Sequence, residues 1–397
     1  MMEELLDDAG TVAAARLVHP GDEVAEYVAR AAWTVIAEPG DAVAGALIEA
    51  LGPEEALSAA LDETGSLLPP GERGRHASRA LAEGRARWRP RAVPETVRQA
   101  LRSAADVGAR LVVPGDDQWP AALDDLGPHA PVALWVRGRV ELLVASPRVS
   151  MVGARAASGY GEHVAAELAG DLAAAGAVIV SGGAYGIDGA VHRAALGVGG
   201  TTIAFLAGGV DRAYPVGHRR LLQQIAVEGA VVSEPPCGTA PTKWRFLARN
   251  RLIAALGQAT VVVEAGWRSG SLNTAGHAAT LGRPLGAVPG PVTSASSAGC
   301  HRLLREYDAQ CVTSAAEVRE LWGQLDDSRS PDETGDPNRT RLLDAMSTRS
   351  RLSVEEIARR SGLSPDRVRS LLGLLHLEGD VSLAESGWQR LPSSQRG

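Results

Sequence analysis

Lysine is almost absent from the sequence: Lys243 is the single one in 397 residues. Three cysteines, odd in number and without a C-x-x-C pair, argue against a disulfide framework and a cysteine zinc site. No apolar run is long enough to span a bilayer, so no membrane partner is expected. The acidic start, MMEELLDDAG, lacks the layout of a signal peptide. These absences predict a protein of the reducing cytoplasm.

The usual nucleotide-binding signatures are also missing. A P-loop is excluded, because no G-x-x-x-x-G-K-[ST] motif exists and the lone lysine lies elsewhere. The dinucleotide motif G-x-G-x-x-G is replaced by VGARAASG at residues 152–159. Asp188 and His192 share a helix face but do not suffice for a metal site, and Ser181 lacks the surroundings of a nucleophile. The sequence therefore predicts no metal, no cofactor and no catalytic residue.

Composition places the chain among globular proteins, with 45% apolar and 22% charged residues. The formal net charge is −7, which argues against a protein coated in positive charge. No acidic residue lies between Glu234 and Glu264, yet this stretch holds four cations: Lys243, Arg245, Arg249 and Arg251. This segment is therefore a candidate for binding an anion.

Four regions differ in their sequence pattern. Residues 1–107 show helical spacing and predict a helical domain similar to helix-hairpin-helix (SAM-like) modules, with arginine-rich residues 73–91 interpreted as a solvated linker. In residues 108–325 short β-branched runs alternate with helical runs, which predicts a doubly wound, mainly parallel α/β sheet. Residues 326–340 have the composition of a linker. Residues 341–397 predict a winged helix.

Glycine-rich loops follow four of the predicted strands, at residues 152–161, 181–188, 207–215 and 265–276. In a doubly wound sheet, ligands bind beyond the carboxyl ends of the strands. Glycine allows the backbone to approach a ligand closely, and the helix that follows favours an anion at its N-terminus. Four such loops on one rim predict a surface that receives several phosphates.

The segment TKWRFLARNRLI at residues 242–253 predicts a helix in which Lys243, Phe246 and Asn250 lie near one face. A cation beside an exposed ring suits single-stranded nucleic acid, because charge follows the backbone and the ring stacks on a base. Phe246 fits this role and a place in the core equally well. Trp244 is expected in the core.

Several ordered motifs resemble the DNA-processing protein A (DprA, or Smf) family: GARAASGYG, SGGAYGIDGAVHRAAL, FLARNRLIAAL and VVVEAGWRSGSLNTA. The resemblance implies an extended Rossmann-like domain that binds single-stranded DNA (ssDNA). It also implies protection of that DNA, loading of the RecA recombinase during natural transformation, and a homodimer formed through the Rossmann-like domain. The family's DNA-contacting arginine falls on Arg155, its lysine on Lys243 and its base-stacking phenylalanine on Phe246.

Pattern and resemblance together predict a set of DNA-binding residues on the rim and on the helix at 242–253. They are Arg155, Ser158, Gly182, Gly183, Lys243, Phe246, Arg249, Asn250, Arg251, Ser269, Gly270 and Ser271. For Arg249 and Arg251 a bracing role against Glu234 or Glu264 is the alternative, and it is favoured for Arg251. Two departures from the family pattern bear on affinity: Ala154 replaces a serine and Leu247 replaces a proline.

Two other functions compete with a non-catalytic ssDNA-binding protein. A nucleotide phosphoribohydrolase of the LOG type would need a glutamate in its glycine-rich loop, and SGGAYGIDGAVH has none there. A winged-helix transcription regulator would read the major groove with basic or amide side chains. The recognition helix here offers only Arg367 and Arg369 as cations.

Overall fold

The computed structural model of the protein describes residues 1–61, 72–324, 337–384 and 387–391. The chain forms two compact units, residues 1–325 and residues 326–397. The domain boundary predicted between residues 107 and 108 lies inside the first unit.

Seven helices build the N-terminal part of the first unit: α1 (Met2–Asp7), α2 (Ala9–Val18), α3 (Val24–Ile36), α4 (Ala42–Leu51), α5 (Pro53–Leu61), α6 (Glu72–Trp88) and α7 (Pro94–Asp106). The interpretation of residues 73–91 as a linker is wrong, because α6 occupies most of this segment. Leu81 and Trp88 lie two turns apart and are both buried. The Trp88 ring meets Trp33 edge-on at 5.3 Å, and its Nε1 donates to the Asp41 carboxylate.

The nine strands of the first unit form one sheet: β1 (Ala109–Val112), β2 (Leu134–Gly138), β3 (Arg148–Val152), β4 (Val178–Ser181), β5 (Thr202–Leu206), β6 (Ala230–Ser233), β7 (Ala259–Val262), β8 (Leu285–Ala287) and β9 (Gln310–Cys311). Their order is β1-β2-β6-β5-β4-β3-β7-β8-β9. Pairing is parallel from β6 to β9, whereas β2 is antiparallel to both neighbours. The predicted mainly parallel α/β sheet is confirmed. Strand order reverses between β3 and β7.

Seven further helices connect or follow these strands: α8 (Gly159–Ala174), α9 (Ile187–Gly197), α10 (Arg219–Glu228), α11 (Lys243–Leu256), α12 (Ser271–Thr280), α13 (Ala298–Glu306) and α14 (Ala315–Glu320). Helices α8, α9 and α14 share one buried apolar cluster, and α11, α12 and α13 share another. Alternation along β3 separates the two: Val149 and Met151 belong to the first cluster, whereas Val152 belongs to the second. Short 3₁₀ helices lie at Arg89–Arg91, Ala121–His129, Val140–Leu143, Val216–His218 and Ala295–Ser297.

His192 on α9 is expected to make the first unit sensitive to acid. Its Nδ1 bonds with Thr202 Oγ1 at 2.7 Å, and its Nε2 is buried without a hydrogen-bond partner among the described residues. Because burial disfavours the charged ring, the pKa of His192 falls to about 3. An unfolded chain protonates this histidine below about pH 6.5. We therefore expect the free energy of unfolding to fall by about 1.4 kcal/mol per pH unit below that point.

Urea unfolding at pH 7 and pH 5 measures this loss. His192→Asn keeps a donor near Thr202, and the pH dependence of its free energy of unfolding is expected to be smaller than in the wild type. His163→Asn, at an exposed site on α8, is the control and should keep the pH dependence of the wild type. Equal acid sensitivity of His192→Asn and the wild type would assign the effect to other groups.

The second unit contains α15 (Pro337–Ala345), α16 (Val354–Ser361), α17 (Pro365–Leu377) and a hairpin of β10 (Val381–Ala384) and β11 (Gly387–Arg390). Side chains of Ser353 and Ser364 cap α16 and α17. On α17, Arg369 pairs with Asp366 at 2.6 Å. The predicted C-terminal winged helix is confirmed. Among all helices described, none combines the length and hydropathy that a membrane crossing requires.

Candidate functional site

A cleft of about 640 Å³ opens where the strand order reverses. Most of its lining comes from the loop after β3 at residues 153–156, the loop after β7 at residues 266 and 268–271, and one side of α11. Ala184, Asp188, Ala295 and Ser296 also contribute to the lining. Ligands of open α/β sheets bind at such a reversal, because the loops that follow the two strands diverge there. Seven predicted site residues line the cleft: Arg155, Phe246, Arg249, Asn250, Ser269, Gly270 and Ser271.

Glu264, two residues after the end of β7, fixes the loop after β3. Its backbone oxygen accepts from Ala154 N–H at 2.7 Å. Its carboxylate accepts from the N–H and the Oγ of Ser158, at 2.8 and 2.7 Å. Ser158 also caps α8 by accepting from Gly161 N–H. Ser158 was predicted as a DNA contact, and the structure uses both of its donors to shape the loop that carries Arg155.

Helix α11 begins at the cleft, with the Thr242 side chain as its cap. Lys243 is exposed in the first turn and Phe246 is half-buried. The guanidinium of Arg155 lies over the Phe246 ring, 4.6 Å from its centroid, and the Tyr214 ring lies 5.6 Å away. A cation and a second ring therefore hold Phe246 at the mouth of the cleft.

The expectation that Trp244 lies in the core is wrong, since its side chain is 64% exposed. Trp244 lies in the first turn of α11. The buried side of this helix begins only later, with Arg249, Asn250 and the apolar residues after them.

Arg249 lies at the base of the cleft and is 6% exposed. Its Nη1 donates to the carbonyls of Gly182 and Phe205, both at 2.6 Å. Burial lowers the pKa of Arg249 to about 10, and the neighbouring Asp188 opposes this shift. Burial raises the pKa of Asp188, and Arg249 counteracts it. The two charges therefore stabilise each other beneath the loop after β4.

The loop after β4 offers a ligand fewer accessible contacts than the sequence predicted. Gly182 and Gly183 are buried, and a side chain at Gly182 would collide with Arg249 and Asp188. The Asp188 carboxylate accepts from Ala184 N–H at 3.3 Å. An internal carboxylate thus occupies an anion position at this loop, and the absence of a side chain at Gly182 makes room for it.

Arg251 is buried and braces the site from behind. Its Nη2 donates to both oxygens of Glu234 at 2.8 Å, and its Nε donates to the His129 carbonyl at 3.0 Å. This is the bracing alternative, with Glu234 as the partner. Arg251 was also predicted to contact DNA directly, and the bracing role is a different one.

The N-terminal helical region extends this brace. Glu38, which follows α3, accepts from Nε and Nη2 of Arg245 on α11, both at 3.0 Å. Gly40 N–H donates to Glu234 Oε1 at 3.1 Å. The segment between α3 and α4 therefore holds α11 directly at Arg245 and, through Glu234, at Arg251, using partners about 200 residues away in the sequence.

The loop after β7 closes the other side of the cleft. Ser269 Oγ and Ser271 Oγ lie 2.7 Å apart, and Asn250 Nδ2 donates to Asn273 Oδ1 at 3.2 Å. Helix α12 starts at Ser271, and its N-terminus favours an anion in the cleft.

Three cations on the rim, Arg155, Lys243 and Arg268, are exposed and form no ion pair with any residue in the described ranges. Sequence reasoning missed Arg268, together with the exposed rings of Tyr214 and Trp267. The signal available for Trp267 and Arg268 was a tryptophan and an arginine inside a glycine-serine loop, AGWRSGS. A glycine-serine loop has few apolar side chains against which a tryptophan ring could be buried.

Known proteins are similar to this chain in both sequence and fold. Residues 110–323 match the family model of DNA recombination-mediator protein A, and residues 326–385 match that of the DprA winged helix domain. A DprA-named protein of Mycobacterium tuberculosis is 46% identical over 303 residues, covering 72% of this chain and 77% of that protein. The DNA processing protein DprA of Streptococcus pneumoniae is 43% identical over 207 residues, covering 51% and 71%.

The X-ray structure of DNA processing protein A from Streptococcus pneumoniae superimposes with a TM-score of 0.58 at 30% identity. It covers 74% of this chain and 96% of that one. Sequence and fold agree, and the chain belongs to the DNA recombination-mediator protein A family.

Proposed function

We propose that the protein binds ssDNA across the cleft between β3 and β7, without catalysis. The observation that carries the proposal is the half-buried Phe246 ring, held between Arg155 and Tyr214 beside rim cations that form no ion pair with any described residue. Phosphates of the strand lie against Arg155, Lys243 and the start of α12, and a base stacks on Phe246. Recognition of this kind is electrostatic and tolerates any sequence, because every base has a face that can stack.

The residues that line the cleft also fit binding better than hydrolysis. Asp188 is the carboxylate among them, and it is 6% exposed and bonded to Ala184 N–H. A phosphoribohydrolase needs a carboxylate that faces the sugar. From the family resemblance we extend the proposal to protection of ssDNA and loading of the RecA recombinase in the cytoplasm, as in natural transformation. The protein would act there as a homodimer formed through its Rossmann-like unit.

Fluorescence anisotropy with single-stranded and duplex oligonucleotides tests the proposal. We expect the wild type to prefer the single strand, and Arg155→Ala to lose much of this affinity, because the variant removes both a cation and the group that holds Phe246. Tight duplex binding that ignores Arg155→Ala would move the function to the winged helix. Release of free base from a nucleotide would favour the hydrolase.

The lone lysine gives a separate prediction. Each neutralised phosphate of a single strand contributes about 0.7 to the slope of log K against log salt. We therefore expect Lys243→Ala to reduce the slope by about 0.7 and Lys243→Arg to preserve it. Arg16→Ala, at an exposed position on α2, is the matched control and should leave the slope unchanged. An unchanged slope in Lys243→Ala would remove this residue from the DNA path.

A further inference from the structure

Trp267 is a large ring that the fold leaves outside the core. It lies on the loop between β7 and α12, and its side chain is 58% exposed. Its two neighbours in sequence, Gly266 and Arg268, both line the cleft. The Trp267 ring therefore lies at the edge of the cleft, and burial contributes little to its position.

A cation nevertheless fixes the ring. The guanidinium carbon of Arg302, on α13, lies 5.2 Å from the centroid of Trp267 and 5.6 Å from that of Tyr307. Arg302 Nε donates to Glu306 Oε2 at 2.7 Å, which holds the guanidinium in place. Trp267 is thus oriented through a cation–π contact and keeps much of its surface open to solvent.

Single exposed apolar side chains are common on proteins and need no function. Trp267 differs from them in two respects. It is held in a fixed orientation without being buried, and it adjoins Arg268, an exposed rim cation with no ion pair to any described residue. Phe246 is likewise an incompletely buried ring held by a cation, since Arg155 lies over it at 4.6 Å.

We propose that Trp267 is a second base-stacking site for ssDNA, on the loop after β7. The proposal rests on ssDNA binding at the cleft and adds a specific ligand group, a nucleobase, at a position where none was assigned. Phosphate contacts at Arg268 and at the start of α12 would place the adjoining base against the open face of Trp267. Phe246 and Trp267 would then take different bases of one strand.

Affinity measurements on thymidine oligomers of increasing length test the proposal. Trp267→Ala is expected to weaken binding at least about fivefold on oligomers long enough to reach both rings. Trp267→Phe, which retains a ring, should recover most of this loss. On oligomers with abasic sites in place of the bases, wild type and Trp267→Ala should bind alike, because no base is left to stack. An equal loss on abasic strands would show that Trp267 acts only by shaping the loop, which overturns the proposal.

Tryptophan fluorescence gives a readout that does not depend on affinity. Stacking on a base should quench Trp267, so Trp267→Phe should lose part of the quenching that ssDNA causes at saturation. Trp322→Phe is the control, because Trp322 packs with the cluster on the other face of the sheet. Full quenching in Trp267→Phe would overturn the proposal.

The two proposals fail differently. If Trp267→Ala binds like the wild type while Arg155→Ala is weakened, the second stacking site is wrong and ssDNA binding stands. If the wild type does not bind ssDNA, both are wrong.

Discussion

Replacing Arg251 by alanine is expected to lower the free energy of unfolding of the 1–325 unit by about 3–5 kcal/mol. The Arg251 and Glu234 side chains are 6% and 8% exposed, so removal of one charge leaves the other buried and unpaired. The loss of the bond to the His129 carbonyl adds to the cost. Urea unfolding of the full chain at pH 7 measures the change in the transition of this unit.

Two variants serve as controls for Arg251→Ala. Arg245→Ala breaks the pair with Glu38, whose side chains are 21% and 30% exposed, and should cost less than about 1 kcal/mol. The double variant Arg251→Met/Glu234→Gln removes both charges and should recover much of the stability. A loss below about 1 kcal/mol in Arg251→Ala would contradict the brace. If the folded double variant lost ssDNA affinity, Arg251 would be a direct contact after all.

Phe246→Ala is expected to weaken ssDNA binding by about 1–3 kcal/mol, the range for a base stacked on an aromatic side chain. The variant removes the stacking surface and also leaves Arg155 without the ring that it covers at 4.6 Å. Because stacking does not release counterions, the loss should be of similar size at every salt concentration. Anisotropy titrations from low to physiological salt measure it.

Leu247→Ala is the matched control, since Leu247 lines the same cleft and is 37% exposed but has no ring. It should bind nearly as well as the wild type, and Phe246→Tyr should retain most of the affinity. Equal losses in Phe246→Ala and Leu247→Ala would show that the cleft needs apolar volume there and not a stacking surface.

The sequence was sufficient to predict the parallel sheet, because its buried strands and intervening helices have local patterns that need no knowledge of distant residues. The same patterns placed the glycine-rich loops at the carboxyl ends of the strands. They could not show that the loop after β4 is filled from within by Asp188, because that depends on the buried position of Arg249 on α11.

What the sequence could not show depends on where a helix turn lies and on which distant segments meet. Trp244 was expected in the core because tryptophan is usually well buried, yet the first turn of α11 lies at the protein surface. The partners of Arg245 and Ser158, which are Glu38 and Glu264, lie 207 and 106 residues away in the chain. Residues 73–91 look polar and arginine-rich on their own. The partners that bury Trp88 at the end of α6, the Trp33 ring and the Asp41 carboxylate, lie in distant segments.

The exposed Lys243 at the start of α11 also determines how the protein responds to chemical modification. Every other cationic side chain of the Lys/Arg type is an arginine, and acylation of side-chain amines leaves guanidinium groups unchanged. Acetylation, or an amine-directed dye, can therefore reach only one side chain, and that side chain is at the cleft. A single neutralised amine would alter the charge of the rim while the rest of the surface kept its charge.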